Sequence, residues 1–291
     1  MKRVFCIGND ESRKDFDLSL LKGHGQTYGC NAIYRDYPEL IDVLTAVDNG
    51  IIHEIYHSGF ALKKECYFRN WTKIPVEMYD SVVEGFVKKQ DLEELKDYDV
   101  IKMNERGKSK EFVVHGTTLS GMVNIVKSTK KSHKHATKEI IQKKIKNSQI
   151  NVSWIKSGDK SHDIKDIWEE YVDHGWACGA SSAYVSIKKE QPDEIYLIGH
   201  DLVSDTQTVN NLYKGTKHYV TPENGPTPHV NWVSQWYTLM DWHPNIKFIK
   251  VNKGMNTLPT NTEVKEWKKW QDDGRLQYIT QGQMLDRIKK F

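Results

Sequence analysis

Short apolar runs alternate with amphipathic segments near both ends of the chain. Continuous apolar runs bounded by polar residues predict buried strands at residues 3–7, 28–33, 44–48, 194–198 and 246–251. Residues 51–57 carry a similar run and are interpreted as a further strand. Apolar residues at helical spacing predict helices at residues 37–44, 162–174, 180–190 and 231–242. Because strands that alternate with helices form βαβ units, the pattern predicts an α/β fold with a Rossmann-like, mainly parallel sheet flanked by helices.

The alternation weakens in the middle of the chain, between residues 59 and 148. Short strands are indicated there near residues 98–103 and 112–115. A second irregular stretch, residues 202–230, is rich in Thr, Asn, Gly and Pro. Connections of this length inside a compact domain are commonly lids or binding loops. We therefore expect a Rossmann-like domain at 1–255, with a divergent insertion at 59–148 and a lid-like loop region at 202–230, and then a C-terminal helical and strand extension at 256–291.

The four cysteines are far apart in the sequence and include no Cys-x-x-Cys pair. Such spacing fits neither a zinc knuckle nor a disulfide framework, so all four are interpreted as reduced and unpaired. No apolar stretch approaches the roughly 18 residues that a membrane-spanning helix needs. The first apolar run is also too short for the core of a signal peptide. These features predict a cytoplasmic protein.

The net charge of +3 hides an uneven distribution. The segment Lys127–Lys146 holds eight lysines and one acid, Glu139, so it carries +7 and the rest of the chain sums to −4. A surface for an anionic partner, such as phosphate, nucleic acid or an acidic acceptor, is one interpretation. A solvated helix face or a flexible loop is the alternative.

Polar clusters accompany three of the predicted strands. Residues 8–12 follow the first strand, Asn31 lies inside the second, and residues 199–201 follow the strand at 194–198. In an open parallel sheet, ligands bind at the carboxyl ends of the strands. A glycine there lets the backbone approach a ligand closely, and an asparagine offers both a donor and an acceptor. Each cluster taken alone also fits an ordinary turn or a buried structural amide.

The lid-like region carries aromatic and titratable side chains, namely Tyr213, His218, Tyr219 and His229. A histidine on a lid is a candidate general base, because imidazole exchanges a proton near neutral pH. His229 lies just before a predicted amphipathic helix, while His218 lies beside Tyr219. The alternative is that these histidines are surface residues, with His229 packing against Trp232.

The order of these motifs resembles a known group of enzymes. The chain reads Ile-Gly-Asn-x-x-Ser, then Cys-Asn-x-x-Tyr, and later Glu-Ile-Tyr-Leu-x-Gly-x-Asp. This series is similar to the bacterial sialyltransferases of glycosyltransferase family 42 and to the related motility-associated-factor-type glycosyltransferases. The resemblance covers residues 1–50 and 175–255. The matching residues are Gly8, Asn9, Ser12, Cys30, Asn31, Tyr34, Glu194, Ile195, Tyr196, Leu197, Gly199 and Asp201.

The resemblance implies a GT-A-variant fold, a nucleotide-binding domain at 1–255, and transfer of a sugar from a nucleotide-sugar donor of the CMP-sugar type. The reaction would invert the anomeric carbon and need no metal or other cofactor. His229 would be the general base, and Tyr213 and Tyr219 would donate hydrogen bonds to the departing phosphate. The residues that would bind the nucleotide are Gly8, Asn9, Ser12, Asn31, Gly179, Ser181, Gly199 and Asp201.

Two departures from the family pattern leave the donor and its sugar open. Asp10 and Glu11 stand where the sialyltransferases have Gly-Pro, and Ala177-Cys178-Gly179 stands in place of Thr-Ser-Gly. Two other functions remain as alternatives. One is a pterin-type pyrophosphokinase, in which Asp48 and Asp201 would hold magnesium. The other is a non-catalytic or virion-associated binding protein that keeps the nucleotide fold.

Overall fold

The computed structural model describes residues 1–69, 163–202, 207–260 and 262–290, together with five strand segments between residues 72 and 152. These residues form two compact units. The first contains residues 1–60, 64–67 and 173–291, and the second contains residues 61–63 and 68–172. The basic segment Lys127–Lys146 lies outside the described residues.

The described strands and helices are numbered in chain order. The strands are β1 (Arg3–Ile7), β2 (Gln26–Cys30), β3 (Val43–Ala46), β4 (Glu65–Phe68), β5 (Thr72–Lys73), β6 (Val100–Arg106), β7 (Ser109–Val114), β8 (Val123–Asn124), β9 (Asn151–Val152), β10 (Ile164–Asp166), β11 (Glu194–Ile198), β12 (Lys247–Asn252) and β13 (Leu276–Thr280). The α-helices are α1 (Asn49–His57), α2 (Ile167–Glu170), α3 (Cys178–Glu190), α4 (Val230–Trp242), α5 (Lys268–Asp272) and α6 (Gln281–Lys289). Short 3₁₀ helices cover Glu11–Arg13, Leu18–Leu21, Asn31–Arg35, Phe60–Leu62 and Lys265–Trp267.

Seven strands of the first unit lie side by side in one sheet, in the order β4-β3-β2-β1-β11-β12-β13. The pairings from β3 through β13 are all parallel. In the central pair, Val4 lies opposite Ile195 and Ile7 opposite Ile198. The prediction that the strands at 3–7, 28–33, 44–48, 194–198 and 246–251 share one mainly parallel sheet is confirmed. The fold is therefore α/β and Rossmann-like, with helices flanking the sheet.

The continuous apolar runs of β1 and β11 follow from burial on both faces of the sheet. All five residues of each strand are buried, as parallel strands covered by helices require. Helix α3 packs on β1 and β2. Its buried face includes the small residues Ala180, Ser182, Ala183 and Ser186, which let a helix backbone approach a sheet closely.

Three local predictions were wrong. Residues 51–57 belong to α1 and not to a strand, because Ile51, Ile52 and Ile55 are buried together on one helical face. The helix expected at 37–44 is a turn at 38–40 followed by the start of β3 at Val43. The helix expected at 162–174 is β10 followed by α2, which ends at Glu170.

The segment after residue 255 is part of the first unit and not an extension of it. Strand β13 pairs in parallel with β12. Helix α6 begins with a capping box between Thr280 and Gln283, and Trp267 donates a hydrogen bond from Nε1 to the Val233 carbonyl oxygen (3.0 Å). The described part of this segment therefore adds a strand and helices to the first unit.

The second unit contains antiparallel pairs. Strand β6 pairs with β5 and β7, and β8 pairs with β9. β6 and β7 overlap the short strands predicted near 98–103 and 112–115. Within the described residues of the whole chain, no helix is both long and apolar enough to cross a bilayer.

Candidate functional site

The turns after β1 and β11 interlock at the carboxyl edge of the sheet. Gly8 donates from its backbone N–H to the Ile198 carbonyl oxygen (2.8 Å), and Asp10 donates to the Gly199 carbonyl oxygen (3.1 Å). Gly199 has φ 65°, which is the left-handed region that favours glycine. A side chain on Gly8 would collide with the Gly199 carbonyl oxygen. The two motif glycines therefore allow the turns to touch.

Two buried side chains fill the space beside these glycines. His200 lies against both Gly8 and Gly179, and its ring meets Trp236 edge-on with 5.2 Å between centroids. Burial, together with the charge of Lys250, lowers the pKa of His200 to about 3, so the imidazole is neutral. Its Nε2 atom is buried without a hydrogen-bond partner. His200 therefore packs beneath the site as a neutral group.

Arg13 is the second of these side chains and is 3% exposed. It donates from Nε to the Gly8 carbonyl oxygen (2.6 Å) and from Nη2 to Asn9 Oδ1 (3.1 Å). Its aliphatic stem occupies the position where Gly199 lacks a side chain. Arg13 thus sets the direction of the Asn9 amide.

Asn9 and Asn31 lie at the same edge of the sheet, where they follow the neighbouring strands β1 and β2. Asn9 donates from Nδ2 to the Cys30 carbonyl oxygen (2.9 Å). Asn31 follows β2 instead of lying inside it, and it opens a 3₁₀ helix with φ 51°. Its Oδ1 atom is buried and has no hydrogen-bond partner among the residues that the structure describes. Because a buried acceptor without a partner costs free energy, a donor group of a ligand would satisfy it.

The lid loop, residues 207–229, closes over these asparagines. Leu212 donates from its backbone N–H to the Asn9 carbonyl oxygen (2.8 Å). Tyr219 accepts a hydrogen bond at its hydroxyl from the Ala32 backbone N–H (3.2 Å). The Tyr213 ring lies 5.6 Å from the Tyr219 ring, centroid to centroid. The fold thus brings both predicted tyrosines to the asparagine pair from about 200 residues away in the sequence.

Arg35 fastens the lid loop to the 3₁₀ helix that follows β2. Its guanidinium lies 5.7 Å from the Tyr213 ring centroid and 5.8 Å from that of Tyr219. It also donates to Thr216 Oγ1 (2.9 Å) and binds Glu54 through two hydrogen bonds of 2.6 and 2.7 Å. Burial alone would raise the pKa of Glu54, but the hydrogen bonds from Arg35 and Tyr34 lower it.

Both acids of the first turn, Asp10 and Glu11, have partners within the protein. Asp10 Oδ2 accepts from the Asp201 backbone N–H (2.6 Å), and burial and the Asp201 charge raise the pKa of Asp10 to about 8. Glu11 forms an ion pair of 2.6 Å with Lys214. This turn therefore does not place two unopposed negative charges beside a bound phosphate.

A cleft of about 560 Å³ opens beside the ends of β11 and β12. Of the predicted site residues, Ser12, Asp201 and His229 line it. Asp201 Oδ2 accepts from the Ser12 backbone N–H (3.1 Å) and from Asn210 Nδ2 (3.0 Å). The exposed His229 precedes the first residue of α4. The buried Lys250 also lines the cleft. The predicted general base thus shares this cleft with two predicted nucleotide-binding residues.

His218, the alternative base, has a different environment. Its Nε2 lies 3.7 Å from Glu54 Oε2, and 14% of its side chain is exposed. Burial lowers the pKa of His218, although the Glu54 charge opposes that shift. Its backbone φ is 68°. Asn31, Leu202 and His218 all have positive φ and lie in carboxyl-edge loops, where such strain commonly accompanies function.

Other predicted residues have structural surroundings. Ser181 donates its hydroxyl hydrogen to the Trp176 carbonyl oxygen (3.2 Å). Asp48 follows β3 and Asp201 follows β11, with β2 and β1 between them, so the ends of the two strands are separated by roughly 14 Å at about 4.8 Å per strand. No group of three or more His, Cys, Asp or Glu side chains among the described residues is arranged to hold a metal.

Sequence reasoning missed Arg13 and Arg35, and it named His200 only as a member of the polar cluster at 199–201. Arg13 stands one residue after the Gly-Asn-x-x-Ser motif, and Arg35 one residue after Cys-Asn-x-x-Tyr. Each arginine directly follows a motif at the carboxyl end of a strand. This position in the sequence could have marked both arginines as candidate site residues. His200 lies within the third motif but at its unspecified position, so only its packing identifies it.

The chain was compared with models of known families, with curated proteins and with solved structures, and none of these comparisons gave a match.

Proposed function

We propose that the protein is a glycosyltransferase that uses a nucleotide-sugar donor and binds the nucleotide between the carboxyl ends of β1 and β2 and the lid loop. The observation that carries this proposal is that the lid loop bonds to both asparagine turns, through Leu212 to Asn9 and through Tyr219 to Ala32, with the Tyr213 ring beside that of Tyr219. Such a site provides amide groups for a base or ribose and hydroxyl donors for a phosphate.

Asn31 supports a cytosine nucleotide. Its Oδ1 atom is a buried acceptor in need of a donor. Cytosine carries a donor amino group at N4, whereas the corresponding atom of a uracil-type base is an acceptor. A ribose hydroxyl is the other donor that the nucleotide offers. We therefore expect CMP to bind more tightly than UMP.

The two lid tyrosines suit the stabilisation of a leaving phosphate. Burial raises the pKa of both Tyr213 and Tyr219 well above the ordinary value. Both hydroxyls thus keep their protons across the physiological pH range. Tyr213 donates its proton to Asp36 (2.6 Å) and would turn this hydrogen bond to the phosphate when the donor binds. Donors placed where negative charge develops lower the barrier of a displacement reaction. The departing nucleotide phosphate would be their partner.

Proton removal from the acceptor hydroxyl is assigned to His229. The histidine lies at the cleft that also contains Ser12 and Asp201, which gives an acceptor room to reach it. His218 is the second candidate, since it lies beside Tyr219 and near Glu54. Replacement of a general base commonly lowers turnover about 10²–10⁴-fold. Comparing turnover of His229→Ala with that of His218→Ala decides between them, provided donor affinity is measured for both.

Calorimetric titration of the wild-type protein with CMP, UMP and ATP, with and without magnesium, is the first test. Asn31→Ala should weaken CMP binding, and the matched control Asn245→Ala, an exposed asparagine before β12, should not. A transfer assay with a panel of nucleotide sugars follows. Magnesium-dependent ATP binding in the absence of CMP binding would contradict the proposal in favour of a pyrophosphokinase. CMP binding without turnover of any donor would favour the non-catalytic alternative.

A further inference from the structure

Two arginines of the first unit are almost fully buried, and only one has a carboxylate partner. Arg3, at the amino edge of the sheet, is 6% exposed and lies 3.5 Å from Glu194. Arg13, at the carboxyl edge, is 3% exposed. All three of its hydrogen-bond acceptors are neutral groups of the described residues: the Gly8 carbonyl, the Asn9 amide and the Tyr213 hydroxyl. The charge of Arg13 is therefore solvated by dipoles but not neutralised directly.

A buried guanidinium of this kind is costly unless an anion compensates it. The guanidinium of arginine carries a permanent positive charge in proteins. Removing a full charge from water costs free energy even after the protein relaxes. The three neutral acceptors recover part of this cost. An anionic ligand bound to Arg13 would compensate the rest of its positive charge.

The contact between Arg13 and the lid shows where such an anion would enter. The hydrogen bond from Arg13 Nη2 to the Tyr213 hydroxyl is long, 3.4 Å, while Tyr213 donates at 2.6 Å to Asp36. Tyr213 thus links Arg13 to the only carboxylate in this hydrogen-bonded chain of described residues. Movement of the Tyr213 hydroxyl away from Arg13 would free one guanidinium edge beside Asn9.

We propose that Arg13 binds the phosphate of the nucleotide through this edge, so that the phosphate lies between the Arg13 guanidinium and the Tyr213 hydroxyl. This inference rests on the proposed function, because it assigns the phosphate position within that site. Guanidinium groups bind phosphate with charge-assisted hydrogen bonds. Asn9, which Arg13 holds, then lies next to the sugar end of the same nucleotide. The ligand class is a nucleoside monophosphate or its ester.

The test compares CMP with cytidine, which lacks only the phosphate, in wild type, Arg13→Met, Arg13→Lys and Arg3→Met. The ratio of the two dissociation constants isolates the phosphate from any effect on folding or on base binding. In Arg13→Met the preference for CMP should fall about 10–100-fold, as expected for hydrogen bonds to a charged group. Arg13→Lys should retain part of it, because the charge remains. Arg3→Met, the other buried arginine, should keep the wild-type ratio.

The outcomes separate this inference from the proposed function. If wild type prefers CMP and Arg13→Met keeps that preference, the Arg13 assignment is wrong while the nucleotide site stands. If wild type binds inorganic pyrophosphate in an Arg13-dependent way but binds neither CMP nor cytidine, Arg13 is an anion site and the proposed function fails. If wild type binds none of these three probes, both proposals are overturned.

Discussion

The two edges of the parallel sheet handle charge in opposite ways. At the amino edge, Glu194 is buried between Arg3 and Arg287, accepts a hydrogen bond from the Tyr196 hydroxyl (2.9 Å), and so balances buried positive charge. At the carboxyl edge, Arg13 has only neutral acceptors. One edge is complete by itself, and the other has the features of a surface that needs a ligand.

Positive backbone φ occurs at both edges. Asn31, Leu202 and His218 lie in loops of the carboxyl edge, and Gln191, which precedes β11, lies at the amino edge. Each such residue costs about 1–3 kcal/mol, and the cost persists where the surrounding structure imposes it. Among the described residues, Asn31 Oδ1 and His200 Nε2 are buried without a hydrogen-bond partner, and both lie at the carboxyl edge.

The largest expected effect is at the amino edge. Glu194→Gln removes the carboxylate that Arg3 and Arg287 share and should lower the free energy of unfolding by about 3–5 kcal/mol. Urea denaturation measures this change. Asp193→Asn, an exposed neighbour, should change it by less than about 0.5 kcal/mol. Equal effects of the two substitutions would remove the distinction between the edges.

Loss of a lid hydroxyl should reduce catalysis more than stability. Tyr213→Phe or Tyr219→Phe removes a donor to the departing phosphate and should lower kcat about 10²–10³-fold. Steady-state transfer assays with the donor found by titration measure it. Tyr237→Phe in α4, a tyrosine that packs on Trp270, is the matched control and should retain wild-type kcat. A kcat within twofold of wild type in both lid variants would contradict the assignment.

Stability should fall as pH rises, because of Asp10. Burial and the Asp201 charge raise its pKa from the ordinary 3.8 to about 8 in the folded protein. Between these values the folded state holds a proton that the unfolded chain has released, so each rise in pH favours unfolding. Asp10→Asn should remove this dependence and stabilise the protein at pH 8 by at least about 1 kcal/mol.

Thermal unfolding of wild type and Asp10→Asn from pH 5 to pH 9 provides the measurement. Asp15→Asn, an exposed acid of the same loop, should follow the wild-type curve. Parallel pH curves for wild type and Asp10→Asn would show that Asp10 does not titrate in this range.

The smallest stability effect is expected from Asn31→Gly. Glycine adopts φ 51° without strain, and the change also removes a buried acceptor that has no partner. The greater backbone entropy of glycine in the unfolded chain opposes these gains. The free energy of unfolding should therefore change by less than about 0.5 kcal/mol, while CMP affinity falls. A loss of stability without a loss of affinity would make Asn31 a structural amide.

The apolar patterns of β1 and β11 were sufficient to predict the sheet, because both faces of a covered parallel strand must be apolar. The same rule failed at residues 51–57. Ile51, Ile52 and Ile55 have a high strand propensity. They belong to α1 because the helix buries all three on one face. Periodicity over so few residues does not separate the two structures.

The sequence alone determined the order of the strands' apolar runs, the polar motifs that end them, and the lid-like region that holds two tyrosines. It did not determine which charges are balanced, because that depends on contacts between residues far apart in the chain. Arg3 opens an apolar run and Arg13 lies in a polar stretch, but neither pattern shows the partner of the guanidinium. Only the folded structure sets Arg3 against Glu194 and Arg13 against neutral acceptors among the described residues. Local residue patterns specify secondary structure, whereas burial and charge compensation are properties of the tertiary arrangement.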